Sequence, residues 1–354
     1  MKPSPTDKIY PVNGIATLIQ ALEAEGIPNF DALNKLELSP EQLLSPNTRV
    51  SLNQTIQCYR NAMRLSADPY FAYHAGLRFH VSTYGMYGFA ILSGTDFRQT
   101  ARFAEQYHRL TVADAVVGFQ DHGAYAKWTI EPIALSSIDS QLYGFVVELY
   151  FGIIVSLHRD IMELSFQPSE LLVTYPPDLE RESAANIFSC GVRFSTNENA
   201  LVLNKKWLDG PAKFGNAVTY QEVTKLCDQL MDEMQLRAGL AGSVREVFLA
   251  NLAQPMGFET VARKLKISAR TLKRKLQHEG TSYRKIVNDL RTQLAIKYLR
   301  DTELTVADVA SCVGFSDPTS FRNAFRRWTD ETPSEFRQRI KNTEEITDTI
   351  ISRT

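Results

Sequence analysis

Apolar positions recur with helical spacing along most of the chain, and its last third carries one such pattern twice. Between Glu259 and Gly280, Val261, Ala262 and Leu265 mark one helical face, Ile267 and Ser268 break it, and Leu272 and Leu276 open a second helix. Between Ala307 and Asp330 the pattern returns as Val309, Ala310 and Val313, then Phe315, then Phe321 and Phe325. The numbering offset is 48 up to Ile267/Phe315, 49 through the second helix and 50 at Gly280/Asp330, so the copies differ by one residue in each turn. Between the copies, Ser282 to Arg300 sets Tyr283, Ile286, Val287, Leu290, Leu294 and Tyr298 on one stripe with Ser282 as cap. That spacing predicts a single helix about 28 Å long. Two helix-turn-helix units on one rigid helix suit neighbouring major-groove segments, which lie about 34 Å apart.

Upstream, Asn13 to Gly26 predicts a helix with Ile15, Leu18, Ile19 and Leu22 inward, and Ser51 to Ser66 another with Leu52, Ile56, Tyr59 and Met63 inward. Further helical segments between Asp68 and Arg109 flank the run Tyr84-Gly85-Met86-Tyr87-Gly88-Phe89. The period then changes to two. Val116 to Gln120 and Ala124 to Ile130 predict a hairpin around Asp121-His122-Gly123. Ser140 to Met162 is a long, largely apolar helix, Glu170 to Tyr175 a strand and Leu179 to Ser189 a helix. Val192 to Ser195 and Ala200 to Asn204 predict a second hairpin. This order implies an α+β domain, a mixed sheet packed with helices, followed by an all-α double helix-turn-helix domain. Val218 to Leu236 puts Val223, Leu226, Leu230, Met231 and Met234 on one side of a helix, a stripe able to pair with its copy in a homodimer or to pack on its own domain. The run Ala238-Gly239-Leu240-Ala241-Gly242 reads as a linker, which sets the domains at 1–239 and 240–341, with a polar, acidic, frayed tail at 342–354.

Charge sharpens this division. The whole chain is formally -1, yet Ala241 to Lys341 holds 19 lysines and arginines against 11 acidic residues, a basic module on an acidic body. Arg270, Lys273, Arg274 and Gln277 share the outward face of the second helix of the first copy, with Thr271 between them. Thr319, Arg322, Asn323 and Arg326 occupy the matching face of the second copy, next to Pro318. Arginine suits guanine and asparagine suits adenine. Asp317 before Pro318 reads as an N-cap with proline at the first helical position, a helix end where a DNA phosphate is expected to sit.

Chemistry of other kinds finds no foothold. The six histidines show no HxxxH or HExxH spacing, and no GxSxG elbow, Walker loop or GxGxxG fingerprint occurs, so no catalytic site, metal or cofactor is expected. Cys58, Cys190, Cys227 and Cys312 are scattered without CxxC spacing, with Cys312 expected as a small buried residue. His74 and His80 read as structural or exposed. MKPSPTDKIY lacks an apolar signal core, and the longest apolar run, Phe145 to Leu157, is too short for a bilayer and interrupted by Glu148, so a cytoplasmic protein is expected. Tyr84 and Tyr87, with Gly85 and Gly88, either line an effector pocket or allow close helix packing.

The stretch Glu259 to Arg337, reading VARKLKISARTLKRKLQHEGTSYRKIVNDLRTQLAIKYL and then VADVASCVGFSDPTSFRNAFRRWTDETPSEFR, resembles the DNA-binding domain of AraC/XylS-type transcriptional regulators. Its most specific part is VGFSDPTSFRNAFRRW followed by TPSEFR. The resemblance implies a seven-helix module in which Arg270, Lys273 and Arg274, then Thr319, Arg322 and Asn323, face the bases. The chain departs from the family pattern at Asn323, where the family usually has Arg, and at Asp330, where it usually has Gly. Thr332-Pro333-Ser334-Glu335 reads as a capping box, so the final helix should begin at Pro333. STYGMYGFAILSGTDFRQTARFAEQYHRLT and RFSTNENALVLNKKWLDGP resemble the N-terminal domain of the OruR/VirS-like, arabinose-binding-type branch. Together these imply a regulator of promoter double-stranded DNA, an activator controlled by a small-molecule effector and touching RNA polymerase. The alternative is an effector-independent regulator whose N-terminal domain only dimerises or binds a protein.

Overall fold

The structure, a computed structural model, describes residues 4–111, 114–133, 139–162, 164–177, 185–209, 212–249 and 256–340. The chain forms two compact units, which part between Gln235 and Leu236. The expected tail lies outside the described residues, as does the first part of the helix expected from Leu179.

The first unit runs β1 (Tyr10–Pro11), α1 (Asn13–Ala24), α2 (Asn29–Ala32), α3 (Pro40–Leu43), β2 (Arg49–Val50), α4 (Leu52–Leu65), α5 (Phe71–Gly76), α6 (Gly85–Ser93) and α7 (Phe97–Tyr107). It continues with β3 (Ala115–Asp121), β4 (Tyr125–Pro132), α8 (Ser140–Ile161), β5 (Glu170–Leu172), α9 (Ala185–Phe188), β6 (Gly191–Arg193), β7 (Ala200–Asn204) and α10 (Ala217–Arg237). In α1 the spacing decides the outcome, and Ile15, Leu18, Ile19 and Leu22 are all buried. In α4 it does not. Tyr59 is buried, but Leu52, Ile56 and Met63 are only half-buried, and Gln54, Thr55, Cys58, Asn61 and Ala62 turn inward instead. The polar members go inward to satisfy backbone carbonyls of the irregular segment around α2. Gln54 Nε2 donates to the Leu36 carbonyl at 2.7 Å, and Asn61 Nδ2 to those of Ala32 and Asn34 at 2.9 and 2.7 Å.

The main sheet has the order β3-β4-β7-β5-β6. β3 and β4 form the expected hairpin, with Val117 opposite Ile130. The second expected hairpin does not form: β5 lies between β6 and β7, parallel to the first and antiparallel to the second. Buried Asn199 helps to fix this arrangement, donating to the Ile130 carbonyl and the Tyr143 hydroxyl while accepting from the Thr174 amide. Behind the sheet α8 is the core helix. By length and composition it is apolar enough to cross a membrane, contrary to the sequence expectation, but 72% of its apolar window is buried inside this unit.

The second unit contains α11 (Gly239–Leu249), α12 (Phe258–Lys264), α13 (Ala269–His278), α14 (Tyr283–Asp301), α15 (Val306–Cys312), α16 (Pro318–Thr329) and α17 (residues 333–340). The expected linker is therefore helix. A single residue, Ala238, separates α10 from α11, and the Glu279 carboxylate accepts from the Leu240 and Ala241 amides at 3.0 and 2.9 Å, capping α11 from outside. Neither does the α10 stripe face one way: Val223, Cys227 and Met234 are buried, while Leu226 and Leu230 are exposed.

Candidate DNA-binding interface

Each helix-turn-helix stands on its own core, and α14 is the floor they share. Val244, Phe248, Val261, Ala262, Leu272 and Leu276 close on Ile286, Val287 and Leu290. Val309, Ala310, Val313, Phe321, Phe325 and Phe336 close on Ala295 and Leu299. The expected stripe on α14 thus holds for its first half and slips by one residue in its second, where Leu294 and Tyr298 are only partly buried. Burying Leu272 and Leu276 on one side of α13, and Phe321 and Phe325 on one side of α16, decides which side chains remain for a partner. Arg270, Lys273, Arg274 and Gln277 are exposed on α13, and Thr319, Arg322, Asn323 and Arg326 on α16. Thr271 and Pro318 are half-buried.

The caps of the two helices differ in charge. Ser268 accepts from the Thr271 amide at 3.1 Å, and its hydroxyl lies 2.8 Å from that of Thr271. Asp317 accepts from the Thr319 and Ser320 amides at 3.1 and 2.7 Å, as its pairing with Pro318 predicts. These hydrogen bonds, from Ser320 first, hold the Asp317 carboxyl below the usual carboxylate range. A carboxylate thus caps the helix end at which a phosphate is expected, whereas the cap of α13 is neutral.

The helix ends also fall into place. Asp330 takes the left-handed conformation (φ 63°) usual for Gly and ends α16 through its amide to the Arg326 carbonyl. Thr332 and Glu335 cap each other at 2.8 and 3.3 Å, and helix begins at Pro333. Cys312, expected buried, is exposed. Sequence reasoning missed Glu279, which accepts from the Leu240 and Ala241 amides, and Arg291, which donates to the Gly314 carbonyl. Both are polar side chains acting on distant backbone, which leaves no periodic trace.

In the first unit Tyr84 and Tyr87 meet edge to face, with ring centroids 5.8 Å apart. Both line a cavity of about 60 Å³ together with His108, Trp128, Tyr150 and His158. Gly88 serves close packing, since a Cβ there would lie 1.8 Å from the Val81 carbonyl oxygen. Beside the cavity, buried Asp114 accepts from the Tyr59 and Tyr150 hydroxyls at 2.5 and 2.6 Å. Burial pushes His108 and His158 down to about 4 and raises the Asp114 carboxyl. A larger open cleft of about 900 Å³, unforeseen from sequence, is lined by Phe71, Tyr73, Phe145, Glu148 and Tyr175. His74 and His80 pair with Asp68 and Asp160 and line neither space.

Residues 26–212, more than half of the chain, match the family described as the arabinose-binding domain of AraC transcription regulator, N-terminal. The chain belongs to the AraC family. Residues 261–339 of this AraC-family regulator match a helix-turn-helix domain family. Similar proteins include the ornithine utilization regulator of Pseudomonas aeruginosa, 28% identical over 334 residues that cover 94% of this chain and 97% of that one. The regulator VqsM of the same organism is 26% identical, covering 74% of this chain and 82% of its own. The activator RhaS of an Enterobacter species is 39% identical over 89 residues, 25% of this chain and 32% of its own. Among solved structures, the regulator CdpR of Pseudomonas aeruginosa covers 91% of this chain and 96% of that one at 20% identity, with a TM-score of 0.46. This AraC-family protein is a DNA-binding transcription regulator.

Proposed function

We propose that this regulator reads promoter DNA in a sequence-specific manner, with α13 and α16 in successive major grooves. Arg270, Lys273 and Arg274 face the bases of one half-site, and Thr319, Arg322 and Asn323 those of the other. Gln277 and Arg326 reach the flanks, while Thr271 and Pro318 shape the two helix starts. The observation that supports this most is that both helices bury their apolar side and leave a polar, mostly basic side in solvent. Arg274→Ala is expected to relax base choice in one half-site at about 1–3 kcal/mol. Titrations of specific and random duplexes check this, and equal loss on both would sink the role.

The first unit is proposed to hold a small-molecule effector that sets activation in the cytoplasm, through a homodimer and a contact with RNA polymerase. The exposed Val218, Leu226 and Leu230 of α10 support self-association through that helix. Room for an effector is unequal: ligand sites are usually about 300–1,000 Å³, which the larger cleft satisfies and the small Tyr84/Tyr87 cavity reaches only if its rings move. L-Arabinose and L-ornithine, which the names of the matched domain and of one relative bring forward, are the first probes. A ligand-dependent rise in melting temperature supports the reading. Loss of that rise in Glu148→Gln or in Tyr87→Phe locates the site. No rise across a metabolite panel would favour a domain that only dimerises or binds a protein.

A further inference from the structure

We propose that Arg291 is a positioning residue that holds the two helix-turn-helix lobes at a fixed separation, so that the tolerated spacing between DNA half-sites depends on it. The inference rests on the reading of α13 and α16 as paired recognition helices. Among the described residues the two cores share no buried side chain, and the only element contributing to both is α14, which passes from Leu290 in one to Ala295 in the other. A helix crossing such a seam leaves each lobe free to rock about it unless something else closes the gap. Arg291 occupies the seam.

Its guanidinium carbon lies 5.7 Å from the ring centroid of Phe248, on α11 in the first core, and 4.7 Å from that of Phe315, in the turn of the second helix-turn-helix. Nη2 donates to the Gly314 carbonyl at 3.0 Å, in that same turn. One planar group thus touches an aromatic ring from each lobe and ties down the backbone just before α16. Guanidinium is suited to this because it stacks and donates in a rigid plane, which an ammonium on a flexible stem does not. The residue is half-buried, and its Nε is buried with no hydrogen-bond partner.

The test uses the full-length protein. A bound sequence is first selected from a randomised duplex pool, and affinity is then measured on that duplex and on versions with one base pair added or removed between the half-sites. Arg291→Met and Arg291→Lys are compared with the parent, with melting temperature followed in parallel. The parent is expected to lose about tenfold or more for each one-base-pair change, the scale of a mismatched contact. In both variants the penalty should fall to about threefold or less, while melting and binding to the parental duplex change far less. The Lys variant gives the answer should the Met variant fail to fold. A spacing penalty unchanged in folded variants would overturn the proposal, and so would a parent indifferent to spacing. A parent that selects no sequence at all would instead remove the recognition-helix reading on which it rests.

Discussion

Two residues 48 positions apart make the same backbone turn in different ways. Lys266 and Gly314 both have left-handed backbone, with φ of 55° and 81°. An L-residue there costs about 1–2 kcal/mol, and glycine recovers most of that at an unfolded-state cost of about 0.4–1 kcal/mol. Lys266→Gly is therefore expected to stabilise the DNA-binding unit by about 0.5 kcal/mol, and Gly314→Ala to destabilise it by about 1–2 kcal/mol. Urea unfolding midpoints check both, and a midpoint unmoved by Gly314→Ala would mean that the turn relaxes freely. Asp317 gives a second residue-level test. Asparagine caps as well as aspartate but without the charge, so Asp317→Asn should keep the helix start and raise affinity for random duplex by about two- to fivefold at low salt. Unchanged affinity would show that no phosphate approaches this helix end.

Between elements, α5 and α8 cross backbone against backbone. A Cβ on Gly152 would lie 2.4 Å from the Tyr73 carbonyl oxygen and 2.8 Å from the Gly76 Cα, all of it backbone with no flexible end to yield. Gly152→Ala should cost about 3 kcal/mol or more, since the helices must part to admit the methyl. Expression with an intact melting transition within about 3 °C of the parent would contradict this. Nothing in the sequence separates Gly152 from its neighbours in α8, and this marks what was legible and what was not. Helices with one apolar face, such as α1, α13 and α16, could be read from spacing because solvent and core alone divide their residues. α4 could not, because Gln54 and Asn61 are buried for partners that lie about 20 to 30 residues away in the chain. The second hairpin was misread for a related reason. Alternation identifies β6 and β7 as strands but does not say that β5 comes between them. The exposed faces of α13 and α16 were legible down to single residues, while the Arg291 seam was not, because a polar residue inside a helical stripe looks like any solvated one.

At the scale of the molecule, the two units should respond differently to acid. His108 and His158 lie in the first unit, where burial pushes both down to about 4. The Trp128 indole donates to His158 Nε2, so Nδ1 carries the proton and donates to the Ile154 carbonyl, which holds the ring neutral. The only histidine beyond Gln235 is His278, which is exposed. Unfolded histidine takes up its proton near pH 6.5, whereas these two folded ones do so only near 4. The unfolded chain thus binds more protons within that window, and stability is complete above about 6.5 and drains away as pH falls toward 4. At pH 5 the two together should remove about 4 kcal/mol from the first unit. The raised Asp114 carboxyl works in the opposite sense, taking its proton more readily when folded, and offsets part of the loss at the acid end. With 5-fluorotryptophan, Trp128 and Trp207 report on the first unit and Trp328 on the second, so fluorine spectra can follow the two melting transitions separately. Between pH 7.5 and 5 the Trp128 and Trp207 transition should drop by several degrees while that of Trp328 moves much less. Equal shifts in all three would mean that the buried histidines are not the source of the acid sensitivity.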